Sequence, residues 1–292
     1  MSTDEPIHDH ERAEWLVDHG RVDEAVALAR ARVADEPYLG NLAWLADMLA
    51  DNGRFDEAVA EWRRAIAGGV VGARGGLAAL LARAGRIDEA TAAFRAAVAE
   101  DEPSAQADLA RHLARTGHAE EAEGIHRALV SAGDHAVVPD LVKLLAETGR
   151  RDDAVAVSRS VRHAGDVPLY PVGRVFEEHG LPDEAIGIYR AALAAGGTYL
   201  YGRLARLLYQ QGRLDETIQV LRDATDDLDQ RADAWRALGR LLVIEGRDEE
   251  FEAEAKRCAA VEDGFFLMHF AGGASRGRRH LAGTCGCART PD

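Results

Sequence analysis

The stretch that decides the fold is DNGRFDEAVAEW, residues 51–62, because close variants of it recur along the chain. AGRIDEATAAF follows at 84–94 and QGRLDETIQVL at 211–221. The glycine of the phrase occurs eight times at intervals of 31 to 34 residues, as Gly20, Gly53, Gly85, Gly117, Gly149, Gly180, Gly212 and Gly246. A steady period of this length is typical of proteins built from stacked structural repeats.

Each copy of the phrase predicts a turn between two helices. The glycine ends one helix in a left-handed backbone conformation, which costs little without a Cβ. Aspartate and glutamate follow within three or four residues, and we expect the aspartate to cap the next helix. A small residue then lets two helices approach, at Ala25, Ala58, Ala90, Ala122, Ala154 and Ala185. The alternative, catalytic acid–base pairs, is disfavoured because a repeated capping motif explains all the carboxylates.

The segment before each glycine has the periodicity of an amphipathic helix. Positions 11, 8, 7 and 4 residues before the glycine are mostly apolar or small, as in Leu42, Leu45, Ala46 and Leu49. This i, i+3, i+4, i+7 spacing predicts one buried stripe on a helix. Each unit is therefore predicted to be a helix, a glycine turn and a second helix.

These motifs resemble the tetratricopeptide repeat family. Trp235-x-x-Leu238-Gly239 matches the opening of the family motif, and Gly-x-x-Asp-Glu-Ala matches its middle. Aromatic residues recur in the second helix, at Trp62, Phe94 and Tyr189. Single units depart from the pattern, with Thr217 and Phe251 at the small-residue position. The resemblance implies an all-α, right-handed solenoid of about eight helix–turn–helix repeats over residues 7–261, presenting a concave groove to a peptide or partner segment.

The overall composition restricts the classes of partner and location. A net charge of -15 disfavours nucleic acids and anionic membranes, because both would be repelled. The acidic N-terminus has no secretory signal, and no window has the ~18 apolar residues of a membrane span. We therefore expect a cytoplasmic protein. Abundant alanine, with arginine almost replacing lysine, suggests a bacterial, actinobacterial-like coding sequence.

A line of basic residues is the strongest candidate for a binding site. Six residues before the glycine, successive units carry Asp47, Ala79, Arg111, Lys143, Arg174, Arg206 and Arg240. At ~100° per residue this position lies roughly 150° from the buried stripe, so it faces away from the core. The family resemblance implies that this side of the first helix lines the groove. By the same counting, Tyr170, Tyr199, Arg203, Tyr209 and Arg236 lie near it.

The predicted ligand of this groove is an anionic protein segment. Arginine binds carboxylate or phosphate through two parallel hydrogen bonds, so an acidic peptide, a C-terminal carboxylate and a phosphorylated segment all fit. The alternative is a solvated face with local ion pairs. Asp108 and Asp140 lie three residues before Arg111 and Lys143 and could neutralise them within their helices.

The C-terminal residues 262–292 break the period and are predicted to form an irregular tail. The apolar run GFFLMHF, 264–270, is expected to seal the last repeat, with docking onto a partner as the alternative. Cys285, Cys287 and His280 are weak candidates for a zinc or copper site, because they supply only three ligands. No metal or cofactor is predicted. The scattered histidines, including His112 and His126, are expected at the surface or partly packed.

The sequence lacks the motifs that indicate common catalytic sites. It has no glycine-rich phosphate loop, no nucleophile elbow and no HExxH zinc motif. We therefore predict a non-enzymatic scaffold or adaptor that binds another protein or a peptide. Two alternatives stay open: an enzyme or a metal- or redox-active protein that uses the Cys285/Cys287 tail, and a self-associating regulatory or sensor module.

Overall fold

Helices make up all the regular structure of the described residues, 9–161, 168–227 and 229–261, in this computed structural model. In chain order the helices are α1 (Asp9–Asp18), α2 (Val22–Asp35), α3 (Leu39–Asp51), α4 (Phe55–Ala67), α5 (Ala73–Arg83), α6 (Ile87–Ala99), α7 (Ala105–Arg115), α8 (Ala119–Ser131), α9 (Val138–Glu147), α10 (Arg151–Val161), α11 (Leu169–Glu178), α12 (Pro182–Ala194), α13 (Tyr201–Gln210), α14 (Leu214–Ala224), α15 (Arg231–Ile244) and α16 (Asp248–Val261). Short 3-10 turns precede α9 and α13. The all-α prediction is confirmed.

The chain divides into two units, and each is a stack of helical hairpins. Unit 1 comprises Met1–Leu144 and unit 2 comprises Leu145–Asp292. Every glycine of the recurring phrase lies between an odd-numbered helix and the following even-numbered one, with φ between 65° and 88°. The predicted helix–glycine turn–helix unit is therefore confirmed. The right-handed superhelix and the 7–261 domain boundary stay predictions.

The predicted stripe forms the core of each unit. On α3, Leu42, Leu45 and Leu49 are at most 4% exposed. The small residues after the glycine turns are fully buried, as expected for positions at which two helices approach closely: Ala25, Ala58, Ala90, Ala122, Ala154 and Ala185. Burial of such stripes removes apolar surface from water and is the main stabilising contribution to the stacked hairpins.

Two close contacts between glycine and an aromatic ring fix the helix spacing. Trp62 of α4 packs against Gly76 of α5, and Tyr189 of α12 packs against Gly173 of α11. Both rings are buried, and a Cβ at either glycine would overlap the facing ring. Glycine at these two positions therefore brings the helix backbone against an aromatic face, an approach that no larger residue permits.

The predicted aspartate caps are wrong, because each second helix begins earlier than the sequence suggested. The residue before the first helical one is Arg21, Arg54, Arg86 or Arg213 in four of these helices, and it makes no side-chain cap. The aspartate and glutamate instead lie within the first turn, where they favour the positive helix end.

The arginine at this position binds carboxylates instead. Arg54 Nε donates to Glu57 Oε1 at 2.6 Å, and hydrogen bonds from Arg54 and then Arg30 lower the pKa of Glu57 to about 2. Arg54 also reaches Asp23 of the preceding repeat at 2.7 Å. Arg213 makes the equivalent contact to Asp183 at 3.1 Å in unit 2. Ion pairs therefore connect the second helices of consecutive repeats within each unit.

Candidate functional site

One cleft lies in unit 2, between α11, the end of α12 and the start of α13. Its volume is about 990 Å³. Its walls are mainly apolar except at one end, where two arginines lie. Its residues include Pro168, Leu169, Tyr170, Pro171, Tyr199, Leu200, Arg203 and Arg206. We call it the unit 2 cleft. Clefts of this size and polarity are typical of binding sites.

Two tyrosines expose aromatic surface into this cleft. Tyr170, on α11, is 43% exposed, and Tyr199, on the 3-10 turn before α13, is 77% exposed. The turn follows Gly196, whose φ of 92° is accessible without strain only to glycine. Tyrosine rings offer flat apolar area together with a hydroxyl, and exposed aromatic groups that share one concavity indicate a contact surface.

A largely buried carboxylate fixes the two arginines. Glu177 of α11 is 15% exposed in its side chain. It accepts a hydrogen bond from Arg206 Nη2 at 3.1 Å, and its Oε1 lies 3.0 Å from Arg203 Nε in an ion pair. It also accepts from the hydroxyl of Tyr189, whose pKa is raised chiefly by burial and further by this bond. One carboxylate of α11 therefore holds two guanidinium groups of α13 at the end of the cleft.

The arginine nearest the tyrosines makes a further contact. Arg203 Nη1 donates to the Tyr170 hydroxyl at 2.7 Å, and its guanidinium lies 5.5 Å from the centre of the Tyr170 ring. Such cation–π contacts orient an arginine side chain as well as stabilise it. Arg203 is therefore held at two points before any ligand arrives.

Of the ten predicted groove residues, the structure places Tyr170, Tyr199, Arg203 and Arg206 in this one cleft. The other predicted residues do not line it. All five basic positions are exposed, as expected for a face turned away from the core: Arg111, Lys143, Arg174, Arg206 and Arg240. Exposure alone therefore does not separate the cleft arginines from the others.

The predicted groove residues outside the unit 2 cleft differ in the partners of their side chains. Arg111 is paired with Asp108, which agrees with the alternative interpretation of this residue as part of a solvated face. Arg174 is paired with Glu178. Arg240 makes no hydrogen bond or ion pair with the described part of the chain. Arg236 binds Asp233 at 2.7 Å, and the Tyr209 hydroxyl donates to Glu245 at 2.8 Å.

A second cleft, in unit 1, was missed by the sequence reasoning. Its volume is about 670 Å³, and its residues include Leu39, Asp47, Trp62, Ala79, Arg83, Ile87 and His112. Arg83 binds Asp47 at 2.8 Å at this cleft. The predicted groove was based on basic residues six positions before each turn glycine, and in this part of the chain these positions hold Asp47 and Ala79. We call this second cleft the unit 1 cleft.

The expectation of surface or partly packed histidines is wrong for His112 and His126, which are each 1% exposed. His126 stands nine residues after its turn glycine, the offset at which Trp62, Phe94 and Tyr189 occur, so the repeat period could have predicted its burial. Its Nδ1 has no hydrogen-bond partner. Burial lowers the pKa of both histidines.

The tail predictions fall outside the described residues. These are the seal at 264–270 and the weak metal candidates Cys285, Cys287 and His280, on which the enzymatic and self-association alternatives also depend. Within the described ranges, no three or more histidine, cysteine, aspartate or glutamate side chains are grouped to hold a metal ion. No described helix has the length and apolar content needed to cross a membrane.

Comparison with known protein families agrees with the repeat pattern of the sequence. Three family models, each described as a tetratricopeptide repeat, match residues 45–105, 103–125 and 177–241, which together make up half of the chain. No curated protein matches the sequence significantly.

Solved structures resemble the chain at low sequence identity. A tetratricopeptide repeat protein from Parabacteroides merdae ATCC 43184 is 13% identical, with 77% of this chain and 95% of that chain covered and a TM-score of 0.38. A structure of Naa15/Naa10 bound to HypK-THB is 16% identical, with 94% of this chain and 46% of that chain covered and a TM-score of 0.39.

The repeat period, the eight glycine turns and the buried stripe agree with the three matching models. Tetratricopeptide repeats generally serve as scaffolds for interactions between proteins. The chain belongs to the tetratricopeptide repeat family.

Proposed function

We propose that this chain is a non-catalytic adaptor that binds an extended, anionic segment of a partner protein in the unit 2 cleft. The supporting observation is that two exposed tyrosines and two arginines held by Glu177 line the same concavity. Tyrosine rings supply contact area at low entropic cost, and guanidinium groups bind carboxylates with defined geometry. Because the arginines are already oriented, binding requires little further ordering of side chains.

The charge distribution supports an anionic partner segment. The chain as a whole carries a net charge of -15, so two cations at the end of an apolar cleft focus the local field on anions. The same net charge makes nucleic acids and anionic membranes unfavourable partners, and we leave both out of the proposal. The cytoplasmic location and the bacterial origin stay predictions of the sequence.

A peptide selection tests the proposal. A display library of random short peptides is panned on the purified full chain, and the affinity of each selected peptide is measured by fluorescence polarisation. We expect the double substitution Arg203→Ala and Arg206→Ala to weaken binding by roughly tenfold or more, because charge-assisted hydrogen bonds are lost. Tyr199→Ala is expected to weaken it by a similar factor through lost contact area.

Arg240→Ala is the matched control. Arg240 occupies the same repeat position as Arg206 and is also exposed, but it does not line the unit 2 cleft. We expect its substitution to leave the affinity unchanged. The proposal fails if the selected peptides bind the cleft variants as tightly as the native chain, and it must be widened to the whole basic line if Arg240→Ala weakens binding equally.

A further inference from the structure

We infer that the arginine end of the unit 2 cleft is matched to a single carboxylate group, and that Glu177 lowers the preference of this end for a doubly charged phosphate. This inference rests on the proposed function, because it concerns the ligand of the same cleft. The inference distinguishes two classes of ligand, acidic segments and phosphorylated segments. The sequence alone could not distinguish them, because both bind to a line of arginines.

The first argument is a charge count over the groups that meet at this end of the cleft. Arg203 and Arg206 contribute two positive charges, and Glu177, which contacts both, contributes one negative charge. The neighbouring Arg174 is paired with Glu178, so that pair is neutral. Among the described residues the net local charge is therefore +1. One carboxylate neutralises it, whereas a phosphate, with a charge of about -1.5 to -2, leaves an excess of negative charge beside Glu177.

The second argument is the number of hydrogen-bond donors left for a ligand. Arg203 Nη1 donates to Tyr170 and Arg206 Nη2 donates to Glu177, while Arg203 Nε faces Glu177 Oε1 at 3.0 Å in an ion pair. A guanidinium group has five N–H donors on three nitrogens, so Arg203 Nη2 and the Nε and Nη1 of Arg206 make none of these contacts. Two of these nitrogens on one guanidinium, the Nε and Nη1 of Arg206, can bind the two oxygens of a single carboxylate. A phosphate presents three oxygens and binds best where several arginine groups are free to surround it.

Glu177→Gln tests the role of this carboxylate, because glutamine has nearly the same shape and its amide oxygen still accepts hydrogen bonds. The substitution raises the local charge from +1 to +2. Since the Coulomb energy scales with the ligand's charge, we expect it to tighten carboxylate binding by roughly fivefold and phosphate binding by roughly twenty-five-fold. The preference between the two anions should therefore shift by roughly fivefold.

The probes are phenylacetate and phenyl phosphate, which join an aromatic ring for the tyrosine-lined walls to one of the two anions. Each is titrated into the isotopically labelled full chain, and the Nε–Hε resonances of Arg203 and Arg206 are followed by NMR. In the native chain we expect both probes to shift these resonances, with phenyl phosphate binding about fivefold, and at most about tenfold, tighter than phenylacetate. Glu177→Gln is expected to increase the preference for phenyl phosphate over phenylacetate by a further factor of roughly five.

Glu184→Gln is the matched control, because it removes the same charge from another carboxylate of unit 2, and neither Glu184 nor its partner Arg159 lines the cleft. Its preference should equal that of the native chain, and thermal melting checks that both variants fold. Three results overturn the inference: no shift with either probe, native binding of phenyl phosphate more than about tenfold tighter, or an unchanged preference in Glu177→Gln. None of them would remove the binding of selected peptides to the cleft, on which the proposed function depends.

Discussion

The two units use the same hairpin scaffold but present different exposed surfaces. In unit 2 the cleft combines Tyr170 and Tyr199 with two arginines fixed by Glu177. In unit 1 the cleft is smaller and has no tyrosine, and its lining combines aliphatic residues with Trp62, His112 and an Arg83–Asp47 pair. The glycine turns have the same geometry in both units. The repeat pattern therefore constrains the backbone and the buried stripe, while the exposed face of the first helix is free to differ.

The interiors of the two units also differ at equivalent positions. Nine residues after the turn glycine, unit 2 places Tyr189, whose hydroxyl binds Glu177 and so connects the core to the cleft. Unit 1 places Trp62, Phe94 and His126 at this offset. His126 has a buried nitrogen without a partner, so it adds no comparable connection. Each difference predicts how a substitution should affect one unit and spare the other.

The largest effects are expected where glycine faces a buried ring. Gly173→Ala should destabilise unit 2 and Gly76→Ala should destabilise unit 1, each by about 3 kcal/mol, because the new Cβ overlaps Tyr189 or Trp62. Gly173→Ala should also weaken binding of selected peptides, since Tyr189 contacts Glu177. Urea unfolding and fluorescence polarisation measure the two effects.

Helical glycines without a neighbour within 4 Å provide the controls for this prediction. Gly187→Ala in α12 and Gly124→Ala in α8 should stabilise their units by about 0.5–1 kcal/mol, because alanine favours the helix. If the facing and open glycines respond alike, the close approach to the rings does not determine the helix spacing.

The next effect concerns buried carboxylates on the second helices. Arg222→Ala should destabilise unit 2 by about 2 kcal/mol, because the buried carboxylate of Glu254 loses its nearest cation. The side chain of Glu254 is 7% exposed, and its remaining partner, Arg257, lies 3.5 Å away. Arg30→Ala in unit 1 should cost about 0.5 kcal/mol, because Glu61 keeps Arg64. Chemical unfolding of both variants measures this difference. Equal losses would show that the second partner does not compensate.

The sequence predicts the repeats well and the cleft only in part. The turn glycines, the small residues and the apolar stripe follow from local backbone preference and helical periodicity, and all of them are confirmed. The pairing of Glu177 with Arg203 and Arg206 joins residues more than 25 positions apart, so no local pattern reports it. Counting along the repeat placed Tyr199 near the groove, but it could not predict the 3-10 turn before α13 on which Tyr199 lies. The caps failed because the helices begin one residue after the arginine.

The smallest effect is a difference in pH dependence between the units. Burial holds the pKa of His126 below its ordinary value, with Arg111 lowering it further and Asp140 opposing this. Above about pH 6.5 the residue is neutral in both states, and below that value only the unfolded chain takes up the proton. The free energy of unfolding of unit 1 should therefore fall as the pH drops from about 6.5 toward the lower folded pKa.

Hydrogen exchange at about pH 7.5 and about pH 5.5 measures this loss separately in each unit. His126→Phe, which restores the aromatic residue of this offset, should reduce the acid loss in unit 1 and leave unit 2 unchanged. His112 is also buried in unit 1, so some acid dependence should persist in this variant. An acid loss of the same size in native chain and variant would contradict the assignment to His126.

Site-specific crosslinking tests most directly whether the unit 2 cleft receives the partner segment. The photoreactive residue p-benzoyl-phenylalanine is introduced at Tyr199 in the unit 2 cleft and, as the matched position, at Leu39 in the unit 1 cleft; both side chains are exposed. A selected peptide is added, and the crosslinked products are identified by mass spectrometry. The proposed function predicts a crosslink from position 199 that is lost with Arg203→Ala and Arg206→Ala, and none from position 39. Equal crosslinking from both positions, or crosslinking from position 39 alone, would contradict it.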